Sequence, residues 1–216
     1  ECPPTFGTNP ELVRGIIAGG IDALTRSIEG AEDRHVDGEQ EITENGITGN
    51  DIVVGIATGG TTPFVHGALA QANRLKATTV FLCCNPDISP TEAVDVIIRP
   101  ITGPEVITGS TRMKAGTATK LILNTLTTAS MIKMGKVYEN LMVDLQVNNV
   151  KLKDRAERML ISVTDLDRDA AGRLLDEAKG NVKTAIIMQK LQIDYNDARK
   201  KLDAYEAFVR KVLNNS

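Results

Sequence analysis

The residues Asp51-Ile-Val-Val-Gly-Ile-Ala-Thr-Gly-Gly-Thr-Thr-Pro63 open a stretch that continues with apolar residues at Val65, Leu69, Ala72 and Leu75 and closes on Thr79-Val-Phe-Leu-Cys83. The runs 51–57 and 79–83 have the length and apolar density of strands buried on both faces. Between them Pro63 stands where a helix start tolerates proline, and apolar spacings of three and four residues predict a helix over 62–75. A strand, a helix and a second strand make the crossover unit of a parallel sheet.

Working outward, Val94-Asp-Val-Ile-Ile98 reads as a further strand. Gly15-Ile-Ile-Ala18, ahead of helical text over 21–29, predicts an earlier one. The expected fold class is α/β, a doubly wound parallel sheet flanked by helices. Such sheets take ligands beyond the carboxyl ends of their strands, so chemistry is sought in the loops after Ala18, Ala57, Cys84 and Ile98.

After Lys114 the period changes. Apolar residues at Leu121, Leu123, Leu126, Ala129, Met131 and Met134 predict a long helix, with Gly135 as its stop. Beyond about Leu152, short helices over 174–178, 182–191 and 198–213 are separated by Gly180 and by 194–196. The expected domains are a sheet domain over 1–150 and a small helical domain over 151–216.

The 216 residues contain 25 basic and 28 acidic side chains, a formal net charge of -3. That balance gives no field for nucleic acid or an anionic membrane. Aromatic residues are 3% of the chain and Trp is absent, which removes the stacking platforms of single-stranded nucleic-acid binders. The three cysteines imply no disulfide framework, and no apolar run has the length of a membrane span. The expected setting is the cytoplasm, with no membrane and no nucleic-acid partner. Glu1-Cys-Pro-Pro at the first position, without an initiator Met, suggests an excised segment.

Two segments stand out chemically. In 57–63, glycines and the hydroxyls of Thr58, Thr61 and Thr62 lie between a strand and a helix start, where Gly59 lets an anion approach exposed N–H groups. The same text also suits an ordinary turn with a helix N-cap. It has neither a Walker ending nor a dinucleotide fingerprint, so no nucleotide cofactor is expected. The second segment is Gly103-Pro-Glu-Val-Ile-Thr-Gly-Ser-Thr-Arg-Met-Lys-Ala-Gly-Thr-Ala-Thr-Lys120. Here Glu105 suits a sugar hydroxyl, Ser110 and Thr111 a helix cap or a ligand, and Arg112 and Lys114 an anion. His35 and His66, the two histidines, read as surface or core residues. No Cys or His spacing suits a metal, so none is expected. Met131, Met134 and Met142 read as core filling, and 151–158 as a solvated helix face.

The stretch 103–120 resembles the signature shared by the N-acetylmuramic acid 6-phosphate etherases and the glucokinase regulatory protein. The resemblance extends to Glu1-Cys-Pro-Pro-Thr-Phe-Gly7, Ile17-Ala-Gly-Gly20, Glu29-Gly-Ala-Glu-Asp33 and Lys136-Val-Tyr-Glu-Asn-Leu-Met-Val-Asp144. It implies the sugar isomerase (SIS) fold with a small C-terminal helical domain. It also implies a homodimer with active sites near the subunit interface, and a sugar-phosphate substrate. By position, Glu1 and Glu32 are similar to the etherases' acid/base pair, with Glu1 the acid and Glu32 the base. Family members carry a Gly-Thr-Ser-Gly-type phosphate loop upstream of the Glu-Cys-Pro-Pro segment. This chain lacks it, so weak activity is expected of these residues alone. The alternatives are a non-catalytic sugar-phosphate sensor of the regulatory-protein type and an aldose-ketose isomerase on the same fold.

Overall fold

A computed structural model describes residues 2–215. In chain order they form α1 (Cys2–Phe6), α2 (His35–Glu44), β1 (Ile52–Ile56), α3 (Pro63–Arg74), β2 (Thr78–Leu82), β3 (Val96–Ile98), α4 (Lys114–Lys133), α5 (Val150–Thr164), α6 (Arg168–Glu177), α7 (Val182–Leu191), α8 (Tyr195–Ala204) and α9 (Val209–Asn214). Two compact units result. One is Gly15–Asn124, the sheet unit; the other is built from the stretches up to Arg14 and from Thr125 on, the helical unit. A division between 1–150 and 151–216 remains a proposal about which pieces fold independently.

The sheet unit is built on three parallel strands in the order β1-β2-β3, with Ile52 opposite Thr78, Ile56 opposite Leu82, and Val80 opposite Val96. β1, α3 and β2 form the expected crossover, and Leu69 of α3 and Phe81 of β2 are fully buried together. Gly55 lies where the helix comes closest, since a Cβ there would sit 2.8 Å from Leu69 and Val65 side-chain carbons. α2 packs against α3, at a crossing where two glycines meet backbone. A Cβ on Gly38 would fall 1.9 Å from the Phe64 carbonyl oxygen, and one on Gly67 1.9 Å from that of His35.

The expected strand over 15–18 does not form; residues 15–17 are irregular and a turn follows. Nor does the helix over 21–29, which is a 3₁₀ turn at Ile21–Leu24 followed by loop. Gly19 and Gly20 hold positive φ (85° and 71°), which ends extended backbone just where the strand would continue. Ile21 and Leu24 are 78% and 65% exposed, so the apolar pattern has no core to bury into, and burial is what sustains a short helix.

The helical unit has one continuous core, with Leu160, Leu175, Ile186, Ile187, Leu202 and Val212 all buried to 1% exposure or less. Helix ends are set by side chains: Asn149, Asp167, Asn181 and Asp194 each accept an amide hydrogen from the residue three positions on. The run expected as one helix over 198–213 is split into α8 and α9, because Glu206 and Ala207 take positive φ (54° and 62°). Of the methionines read as core, Met131 is buried and Met142 packs against the cluster, whereas Met134 is 46% exposed beside the Gly135 stop.

Candidate functional site

The glycine-rich loop 57–62 leaves the carboxyl end of β1 and runs into α3, where the end of a parallel strand and a helix N-terminus coincide. Gly60 has φ +90°, and a Cβ there would lie 2.6 Å from the Ile88 Cγ2, so both conformation and space demand glycine. A Cβ on Gly59 would meet nothing within 4 Å. Thr62 is the N-cap by backbone angles, yet its hydroxyl makes no capping hydrogen bond; its carbonyl accepts from Val65 and His66. Thr61 is exposed and Thr58 half-buried.

The second segment meets the first at Cys84. The Cys84 amide donates to the Thr58 carbonyl (2.9 Å), and its thiol lies 4.0 Å from the Ala115 carbonyl in the first turn of α4. Asn85 reaches the Gly59 carbonyl at 3.4 Å. Burial pushes the Cys84 thiol up.

Glu105, expected to meet a sugar hydroxyl, caps the start of α4. Its two carboxylate oxygens accept the amides of Lys114 (2.9 Å) and Ala115 (3.0 Å), the first residues of α4. Those bonds, from Ala115 and then Lys114, hold its carboxyl below the ordinary range. The Lys114 ammonium donates to the Pro104 carbonyl at 2.8 Å, which closes the loop back on itself. Ser110 is half-buried in a turn to Ile107, while Thr111 and Arg112 are exposed.

Glu32 is exposed in a 3₁₀ turn, Ala31–Asp33, entered through Gly30 in the left-handed region and packed against α3. Glu1 lies outside the described residues. The segment that follows it is fixed at Gly7, whose φ is +59° and whose Cβ position falls 2.6 Å from the Asp144 carbonyl oxygen. The stretches 2–7 and 136–144 therefore meet. Asp144 carries two ammonium groups there, Lys136 at 2.9 Å and the buried Lys183 at 2.8 Å. Burial lowers the Lys183 pKa, and Asp144 offsets part of that effect.

Of the two histidines read as surface or core, His66 belongs to the core. It is buried, with Nδ1 2.9 Å from Glu92 Oε2 and Nε2 3.0 Å from the Gly60 carbonyl. Its partner Glu92 is 26 residues away, and no spacing rule signals such a contact.

Among the described residues, no group of three or more His, Cys, Asp or Glu is arranged to hold a metal ion, and no helix is long and apolar enough to cross a membrane.

The profile of the glucokinase regulatory protein N-terminal SIS domain matches residues 4–73. Curated relatives match far more of the chain. A Geobacillus sp. (strain WCH70) protein named N-acetylmuramic acid 6-phosphate etherase is 48% identical over 213 residues, 99% of this chain and 72% of its own length. Proteins of the same name from Oceanobacillus iheyensis and Salinibacter ruber are 49% and 50% identical, over 98% and 99% of the chain and 72% and 69% of theirs.

Proposed function

This chain belongs to the N-acetylmuramic acid 6-phosphate etherase family, and from that premise we infer that it is a carbon-oxygen lyase acting in the catabolism of N-acetylmuramic acid 6-phosphate. The observation that carries this reading is the extent of the match: nearly half of all positions are identical over 99% of the chain. The regulatory-protein profile covers only 4–73, within a domain that an enzyme and a sensor can share, so the sensor reading is not favoured.

The reaction cleaves the ether that joins lactate to carbon 3 of the sugar. In the open-chain form, carbon 1 is an aldehyde and acidifies the proton on carbon 2. A carboxylate takes that proton, the electron pair forms a carbon 2–carbon 3 double bond, and the bond from carbon 3 to the lactyl oxygen breaks. A carboxylic acid protonates the departing oxygen, so lactate leaves as its hydroxy acid. Water then adds across the double bond, hydroxyl to carbon 3 and proton to carbon 2, giving N-acetylglucosamine 6-phosphate. Two carboxyl groups in opposite protonation states suffice, each transfer typically contributing about 10²–10⁴-fold.

Glu32 is the proposed base and Glu1 the proposed acid. The exposure of Glu32 supports this, since a base for a diffusing substrate must be reachable. The phosphate is assigned to the 58–62 loop, through the amides and hydroxyls of Thr58, Gly59, Thr61 and Thr62. The uncommitted Thr62 hydroxyl at a helix N-terminus supports that assignment. Held there, phosphate contributes binding energy remote from the reacting carbons. Ser110, Thr111 and Arg112 are assigned to the sugar and its anionic groups, while Glu105 and Lys114 fix the loop that presents them. No cofactor has a step in this chemistry.

A homodimer is also proposed. Leu121, Leu126 and Ile132 of α4 are left exposed, an apolar surface of the kind subunit contacts cover. A phosphorylated sugar as substrate suits the cytoplasm. Incubation of the protein with N-acetylmuramic acid 6-phosphate is expected to release D-lactate and N-acetylglucosamine 6-phosphate in equal amounts. Tight binding of the sugar phosphate without lactate would return the case to a sensor.

A further inference from the structure

The hydrogen-bond inventory around His66 is unusual for a buried histidine. Its Nε2 faces the Gly60 carbonyl at 3.0 Å, and a carbonyl only accepts, so Nε2 carries a hydrogen. Its Nδ1 faces Glu92 Oε2 at 2.9 Å and Thr91 Oγ1 at 3.1 Å. Thr91 Oγ1 lies 2.6 Å from Glu92 Oε1 in turn. Nε2–H is thus committed to the Gly60 carbonyl, while Nδ1 is braced by the Thr91–Glu92 pair. Partial burial raises the Glu92 carboxyl, but hydrogen bonds from Thr91 and His66 outweigh it and bring the group below its ordinary value. Phe81 fixes the ring from the core side, with centroids 5.7 Å apart.

The carbonyl so held belongs to the peptide unit between Gly60 and Thr61. No cis peptide occurs among the described residues, and in a planar trans peptide the C=O and the following N–H point in opposite directions. Drawing the Gly60 oxygen onto His66 therefore turns the Thr61 amide away from the imidazole, on a residue that is itself exposed. The turn needs such a restraint, because φ at Gly60 is +90° and glycine alone leaves it free to adopt others.

We propose that His66, braced by Glu92 and Thr91, is a positioning residue for substrate phosphate: it clamps the Gly60 carbonyl so that the Thr61 amide and the start of α3 converge on the anion. This rests on the assignment of phosphate to the 58–62 loop. Substrate is not touched by His66; it acts through the loop.

The test measures KM and kcat with N-acetylmuramic acid 6-phosphate, and competitive inhibition by inorganic phosphate, in wild type, His66→Phe, His66→Gln and Thr61→Val with Thr62→Val. His66→Phe fills the space over Phe81 but donates nothing. It is expected to weaken both KM and phosphate inhibition by about 5- to 100-fold, the effect of leaving the buried Gly60 carbonyl without its hydrogen bond, with a smaller change in kcat. His66→Gln, which offers an amide hydrogen to the same carbonyl, recovers most of that loss. Because a variant can also lose its fold, the ¹⁵N spectrum of the wild-type ring is read as well. A protonated-type resonance is expected for Nε2, and a lone-pair resonance at Nε2 overturns the clamp. If the threonine double variant loses phosphate inhibition while His66→Phe keeps it, the clamp alone is wrong. If the double variant and His66→Phe both keep it, the loop assignment itself fails.

Discussion

The two units of this chain solve different problems with similar residues. The helical unit gathers its apolar side chains into one cluster, and four of its helices begin with a side-chain cap. The sheet unit divides its core into two small clusters, around Phe81 and around Ile42, and leaves Ile21, Leu24, Ile52, Val106, Ile107 and Leu121 in the open. It also keeps the Thr62 hydroxyl out of the cap position it nominally occupies. One region concentrates its burial in a single core and caps most of its helices with its own side chains, and the other divides its burial and leaves a helix start without a side-chain cap. That difference is the expected division between scaffold and site.

The contrast is broken most forcefully by chemistry. Glu32→Gln is expected to lower lactate release by about 10²–10⁴-fold while leaving the fold intact, because Glu32 is exposed. Circular dichroism and a lactate assay on the same preparation check both halves.

In the helical unit the largest stability effect is expected at Asp144, the shared partner of Lys136 and Lys183. Asp144→Asn leaves the Lys183 ammonium buried without a counter-charge, a change that typically costs about 3–5 kcal/mol. Ile187→Ala, at a fully buried position, should cost about 2–5 kcal/mol through lost burial and a cavity. Both are read from urea midpoints. Midpoints equal to wild type would mean that the unit is not the scaffold described here.

The smallest effect is expected at Glu105, and it depends on pH. The amides of Ala115 and Lys114 hold the folded-state pKa below its unfolded value. As pH falls, the unfolded chain takes up this proton first. The stabilisation is therefore full above the ordinary carboxylate range, about 4.3, and is lost as pH drops through the folded value. Glu105→Gln should lower the melting temperature slightly at pH 7, and the gap should close in acid. A gap that widens in acid would contradict the capping role.

What the sequence disclosed follows the same division. β1, α3 and β2 were legible because dense apolar runs and a proline at a helix start have few alternative readings. α2 was not, since of its ten residues only Gly38 and Ile42 are buried, and Gly38 is there because the backbone of α3 passes over it. The break between α8 and α9 has no glycine to announce it; Glu206 and Ala207 take the strained conformation themselves. The residues 15–29 misled because their spacing is helical and strand-like, but the apolar side chains stay at the surface. At the site, the loops 58–62 and 105–114 were legible as composition, and the geometry at Cys84 brings them together. The capping duty of Glu105 and the bracing of His66 come from contacts across nine and 26 residues, which only the folded chain creates.

The central claim is that a carboxylate removes the carbon 2 proton before lactate leaves. Turnover of N-acetylmuramic acid 6-phosphate in deuterium oxide tests it directly, with the N-acetylglucosamine 6-phosphate product examined by NMR. The account predicts deuterium at carbon 2 in every product molecule, and loss of both lactate and label in Glu32→Gln. Product that retains its original proton at carbon 2 would mean that the ether is broken without that proton transfer, and that Glu32 is not the base.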